Sequence, residues 1–192
     1  MSNKKKNVII SLIILLCVIG ISQTLAYTTS SVETENIITF GNLKLKIVET
    51  VLNETGEEIP FSPEEPVDIT KKDSVSRIVK VENVGQQPMF VRVELNITGT
   101  DKDGNTVESV KELADYNINE EYWLYDNGWY YYTGILEPGT QSEELITEVM
   151  FDTNQITNNY PGGSFHLEIN AQAVQSKNNG TNVIEASGWP EE

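Results

Sequence analysis

Residues 89–97 read MFVRVELNI, and two sets of side chains alternate along them. Met89, Val91, Val93, Leu95 and Ile97 form one set, and Phe90, Arg92, Glu94 and Asn96 form the other. Successive side chains of an extended chain point to opposite faces, so this period of two predicts a strand with one face in a core. The pattern recurs on either side. In LKLKIVETV (43–51), Leu43, Leu45, Ile47 and Val51 share a face against Lys44 and Lys46. In FHLEINAQA (165–173), Phe165, Leu167, Ile169, Ala171 and Ala173 alternate with His166, Glu168, Asn170 and Gln172. Residues 75–84 repeat it less cleanly, because Ile78 falls among the polar positions.

Turn signals separate these runs at strand-length intervals: NETGEE (53–58), NVGQQP (83–88), DKDGN (101–105), DNG (126–128), EPGT (137–140) and YPGG (160–163). Only residues 108–116 have a helical pattern, with Val110, Leu113 and Ala114 as the apolar side. Many short alternating strands joined by Gly and Pro turns predict an all-β fold, an antiparallel two-sheet β-sandwich with at most one or two short helices. The sandwich is expected over residues 27–175. Beyond it, the polar run SKNNGTN opens a C-terminal tail (176–192) expected to be loosely held.

The first 26 residues have the layout of an export signal. Lys4, Lys5 and Lys6 precede an apolar run at 8–21, and SQTLA then ends on the small residue Ala26. The run is shorter than the ~20 residues that a spanning helix needs, which favours a cleavable signal cut between Ala26 and Tyr27 over a retained anchor. The single cysteine, Cys17, lies inside this run, and the bulky Leu16 before it argues against lipoprotein processing. Removing the signal takes away three of the 13 basic residues and none of the 29 acidic ones, so the exported part is more acidic than the whole chain at −16. Such a charge opposes binding to nucleic acid or anionic lipid and tolerates only loose divalent-cation binding. The membrane is then a partner only through the signal before cleavage.

Catalytic chemistry finds little purchase. His166 is the only histidine and falls on the polar face of its strand beside Glu168. A zinc site needs several converging His or Cys ligands, and neither an HExxH helix nor a Ser–His–Asp arrangement is present. DKDGN resembles a calcium loop, but Gly104 stands fourth where the EF-hand needs glycine sixth, so an Asp–Gly hairpin turn is the better reading. The expectation is a non-enzymatic protein without metal or cofactor.

The densest stretch is EYWLYDNGWYYYTGILEPG (121–139), in which seven of the eleven residues at 122–132 are Tyr or Trp. Taking DNG as a three-residue turn pairs Tyr125 with Trp129, Leu124 with Tyr130, Trp123 with Tyr131 and Tyr122 with Tyr132. One face would carry Trp123, Tyr125, Trp129 and Tyr131, and the other Tyr122, Leu124, Tyr130 and Tyr132. Each ring buries about 150–250 Å², so a domain without disulfides is expected to keep at least one face in its core. An open second face would be a platform for a glycan, a surface polymer or another subunit.

Several segments in order resemble one family. They are SQTLAYTTSSVETENIITFGNLKLKIVE (22–49), VKVENVGQQPMFVRVEL (79–95), WYYYTGILEPGTQSEEL (129–145), EINAQAVQ (168–175) and EASGW (185–189). Together they resemble the exported proteins of the TasA and camelysin type, handled by a SipW-type signal peptidase, as a broad group rather than TasA itself. The resemblance implies a jelly-roll-like sandwich, a Gram-positive source and secretion to the cell surface or biofilm matrix. It also implies assembly into fibres with other copies or related matrix subunits, an N-terminal segment of one subunit adding as a strand to the next. The donor would be residues 27–38, with Tyr27, Val32, Ile37 and Ile38 its large apolar side chains. That segment is otherwise polar and acidic. The metalloprotease role attributed to camelysin-type members has no zinc motif here to receive it. The leading expectation is therefore a secreted structural protein that self-assembles by strand addition; the alternative is a glycan- or surface-polymer-binding module that uses the aromatic hairpin.

Overall fold

The computed structural model describes residues 37–40, 42–62, 74–100, 105–107, 113–152 and 164–190. The chain divides into two units, 1–33 and 34–192, and every described residue belongs to the second. The expected signal (1–26), with Tyr27 and Val32, lies outside the described residues, as do 101–104 of DKDGN and 108–112 of the helical pattern.

The described residues form eleven strands: β1 (Ile37–Phe40), β2 (Leu43–Leu52), β3 (Glu58–Pro60), β4 (Ser74–Asn83), β5 (Met89–Thr100), β6 (Thr106–Val107), β7 (Ala114–Tyr116), β8 (Trp123–Asp126), β9 (Trp129–Tyr132), β10 (Ile146–Phe151) and β11 (Ser164–Gln175). They form two antiparallel sheets packed face to face, a β-sandwich, with no helix among the described residues. The first sheet runs β1-β2-β4-β10-β7, with β3 beside β2; the second runs β11-β5-β9-β8, with β6 beside β5. All pairings are antiparallel.

The alternating sets locate the core as their parity predicts. Leu43, Leu45 and Ile47 of β2, Val79 and Val81 of β4, and Met89, Val91, Val93 and Ile97 of β5 are buried together between the sheets. Leu136, Leu145, Ile146 and Ala171 join them from the other strands and connections. The longest ladder pairs β5 with β11 through twelve successive positions, from Ser164↔Thr100 to Gln175↔Met89. β5 and β6 pair at Gly99↔Val107 and Thr100↔Thr106.

The weak alternation of β4 has a structural counterpart. Arg77 has the same parity as Val79 and Val81, and there its guanidinium pairs with Glu49 and lies 3.2 Å from the centroid of the Phe61 ring. Burial lowers the Arg77 pKa, against the opposing pull of Glu49. Ile78, on the other parity, is buried as well.

Two expectations are corrected. Residues 114–116, assigned to a helical pattern, form β7 and pair with β10 at Phe151↔Ala114, Met150↔Asp115 and Val149↔Tyr116. A spacing of i, i+3, i+4 over so few residues yields to the ladder that β10 offers. The C-terminal tail is not loosely held over 176–190. Val183 and Ala186 are buried, and Ile184 and Trp189 pack with them against the outer face of the second sheet.

The glycine signals in the loops also have structural reasons. Asn83 is completely buried, and its Nδ2 donates to the carbonyls of Gln87 (2.9 Å) and Leu136 (2.8 Å) while its Oδ1 accepts from Gly85 N–H (2.9 Å). A Cβ at Gly85 would stand 3.0 Å from the Lys44 nitrogen and 3.2 Å from Asn83 Oδ1, so the turn closes best on glycine. Gly139, with φ 76°, donates to the Asn83 carbonyl at 2.8 Å. NVGQQP and EPGT are thus one hydrogen-bonded junction between the sheets.

Candidate assembly surfaces: the aromatic hairpin and the sheet edges

The aromatic stretch forms a hairpin, but with a different register from the expected one. Asn127 (φ 48°) and Gly128 (φ 89°) both take positive φ, which makes a two-residue turn of the type favoured in hairpins. Asp126 therefore stays in β8 and pairs with Trp129; Tyr125 pairs with Tyr130, Leu124 with Tyr131 and Trp123 with Tyr132. Asparagine tolerates the left-handed region better than most residues, and the three-residue reading left that out. The slip moves β9 by one position against β8 and regroups the faces. Trp123 and Tyr125 go with Tyr130 and Tyr132; Leu124 and Asp126 go with Trp129 and Tyr131.

The inner face closes the main core. Trp123 is 1% exposed, and its ring lies 5.2 Å from that of Tyr132. Trp123 Nε1 donates to the Glu143 carbonyl at 3.3 Å, and Tyr132 donates its hydroxyl to the Glu143 carboxylate. Burial, with help from that hydrogen bond and the charge of Glu143, pushes the Tyr132 pKa up to about 12. Tyr122, just before β8, is half-buried against the same core. At the hairpin tip Tyr130 is half-buried, while Tyr125, 5.0 Å from it ring to ring, is 65% exposed.

The outer face is covered over Trp129 and Tyr131, while Leu124 on the same face stays 43% exposed. Trp129, 6% exposed, and Tyr131 are buried with Phe90 and Val174 beneath Val183, Ile184, Ala186 and Trp189 of the C-terminal segment. Arg92 organises this second core. Its carbon Cζ sits 4.2 Å from the ring centroid of Trp129 and 4.8 Å from that of Trp189. Its Nε and Nη2 donate to Gln172 Oε1 (2.9 and 2.6 Å), Nη1 donates to the Tyr131 hydroxyl (3.2 Å), and Nη2 also reaches the Pro190 carbonyl (3.3 Å). A planar guanidinium can stack and donate in its own plane at once, which an ammonium cannot do. Asn179 ties the segment to itself: its Nδ2 donates to the Gln175 and Ser187 carbonyls (3.1 and 2.9 Å) and its Oδ1 accepts from Ser187 N–H (2.7 Å). Sequence reasoning passed over Arg92 and this strap; the available signal was Val183, Ile184, Ala186 and Trp189 inside a polar segment.

The sheet edges differ sharply. β1 and β7 bound the first sheet with four and three residues, and β3, which pairs with β2 on the same side as β1, has three residues and ends in Pro60. β8 bounds the second sheet with four residues. β11 is a twelve-residue edge strand, and among the described residues no strand pairs with its outer side. Within it Glu168 is the only charged residue, and there is no proline. His166, Glu168 and Asn170 are exposed; Asn170 Nδ2 donates to Glu94 and Asn96 Nδ2 to Glu168 across the β5 ladder. Of the residues expected to form a donor strand, Ile37 and Ile38 are described, and they pair with Lys46 and Leu45 of their own chain.

Among the described residues no cluster of three or more His, Cys, Asp or Glu side chains has metal-binding geometry, and no helix is long and apolar enough to cross a membrane. Comparison with known proteins finds no match to this chain among family models, curated proteins or solved structures.

Proposed function

We propose that this chain is an exported, non-enzymatic structural subunit of a bacterial cell surface or biofilm matrix, which self-associates by strand addition at an open sheet edge. The observation that carries this reading is the outer edge of β11. Unpaired N–H and C=O groups along a strand are a template for another strand, and proteins ordinarily blunt such edges by shortness, charge or proline. The other edges are short, and β3 also carries a proline, whereas β11 offers twelve residues with one charge. A strand added there would gain backbone hydrogen bonds for affinity and alternate side-chain contacts for specificity. Head-to-tail addition does not close on itself, so it extends into a filament.

The resemblance to TasA and camelysin-type proteins supplies the setting: export with a SipW-type signal peptidase, cleavage between Ala26 and Tyr27, and a donor drawn from the new N-terminus. Because Ile37 and Ile38 are held by β2 of their own chain, the donor narrows to residues 27–36. A glycan-binding reading retains one observation in its favour, the exposed Tyr125 ring beside Tyr130, and predicts that Tyr125→Ala weakens retention on matrix polysaccharide.

The test is to express residues 27–192 and follow particle size by light scattering and electron microscopy. Filaments are expected, and deleting 27–36 should abolish them while the circular dichroism of the sandwich persists. Single prolines at Glu168 and Ile169 should locate the docking side, since neighbouring residues direct their backbone groups to opposite sides of a strand. A protein that stays monomeric at all salts, pH values and concentrations overturns the reading.

A further inference from the structure

The chain contains two Asn–Gly steps, Asn127–Gly128 and Asn179–Gly180, and the fold holds their side chains very differently. Asn127 stands exposed at the tip of the β8–β9 hairpin, and its carboxamide makes one hydrogen bond, from Nδ2 to the carboxylate of the half-buried Asp126 at 3.0 Å. The Asn179 carboxamide is engaged at both ends, by Gln175 and by both backbone groups of Ser187. Glycine after asparagine leaves the following nitrogen unhindered, which is the condition for the side chain to cyclise on the backbone.

We propose that Asn127 is a site of spontaneous deamidation in the folded protein, and that Asn179 is protected from the same reaction by the strap. The Gly128 nitrogen attacks the Asn127 side-chain carbonyl carbon, a new C–N bond forms, and the side-chain nitrogen leaves with the displaced proton as ammonia. Water then opens the resulting succinimide at either carbonyl, giving aspartate or an isoaspartyl link. No oxidant or cofactor is needed. Asn179 can react only after its carboxamide is freed from three hydrogen bonds, so its rate carries the population of a locally opened strap. The isoaspartyl product matters structurally. It inserts one backbone atom into a two-residue loop whose length sets the Asp126↔Trp129 register, at the edge strand of the second sheet.

The experiment incubates the purified chain in mildly alkaline buffer, with and without denaturant, and quantifies aspartyl and isoaspartyl peptides at both positions over time by mass spectrometry. In the folded protein Asn127 should convert faster than Asn179 by on the order of tenfold or more, and the difference should vanish in denaturant. Equal rates in the folded protein, faster conversion at Asn179, or an Asn127 that converts only when unfolded would each overturn the proposal.

Discussion

The two faces of the second sheet are built from the same strands, yet they are closed in different ways. The inner face meets another sheet, and its side chains are those that the period of two selects: Val91, Val93, Trp123, Tyr132 and Ala171. The outer face meets an irregular segment, and its packing turns on one cation stacked between two indoles. A sheet can close over apolar side chains along its whole length because its own backbone groups are paired. A strap has no ladder, so its carbonyls and amides need side chains such as Arg92 and Asn179 to satisfy them. The outer core should therefore be the weaker and the more easily removed of the two.

The largest expected effect lies inside. Trp123→Ala leaves a cavity in the main core and should cost about 3–5 kcal/mol by chemical denaturation. Deleting residues 183–192 should cost less, about 2–3 kcal/mol, because it removes a few apolar side chains and the Arg92 stacking while the sandwich stays closed. Its signature is a red-shifted fluorescence from Trp129 with circular dichroism unchanged. If the deletion unfolds the protein outright, the two faces are not separate layers of stability and the contrast between them fails. Arg92→Lys comes next at about 1–2 kcal/mol, from the loss of stacking and of the forked donors to Gln172 and Tyr131. An effect of that variant on the inner core, read from Trp123, would show that the two faces are coupled.

The same contrast explains what the sequence disclosed. The period of two found β2, β5 and β11 and most of the inner core, because each of those strands turns one parity into it, while the other parity of β5 and β11 buries Phe90 and Val174 beneath the strap. Val183, Ile184, Ala186 and Trp189 follow neither a strand nor a helix period, so nothing local marked them as a lid. Arg92 occupied the polar parity of β5 and read as a solvated charge, although the ring it stacks on lies 37 positions away. The hairpin was legible as a hairpin, but its register depended on the conformation of a single residue, Asn127. The β11 edge needed the sheet order, which alternation along the chain does not contain.

The smallest effect at neutral pH, and the one with the sharpest pH signature, concerns the inner tyrosines. Burial raises the pKa of Tyr132, and that of Tyr116 in the first sheet, to about 12. An unfolded tyrosine titrates near ~10. Above that value the unfolded chain loses these protons while the folded chain keeps them, so ionisation favours unfolding. The stabilisation is complete below about pH 10 and is lost as the pH rises towards 12. Tyr132→Phe should cost about 1 kcal/mol at neutral pH, from the hydroxyl that Glu143 accepts, and should flatten the alkaline fall in stability. A steep alkaline loss that survives Tyr132→Phe would place the titrating group elsewhere, with Tyr116 the next to substitute.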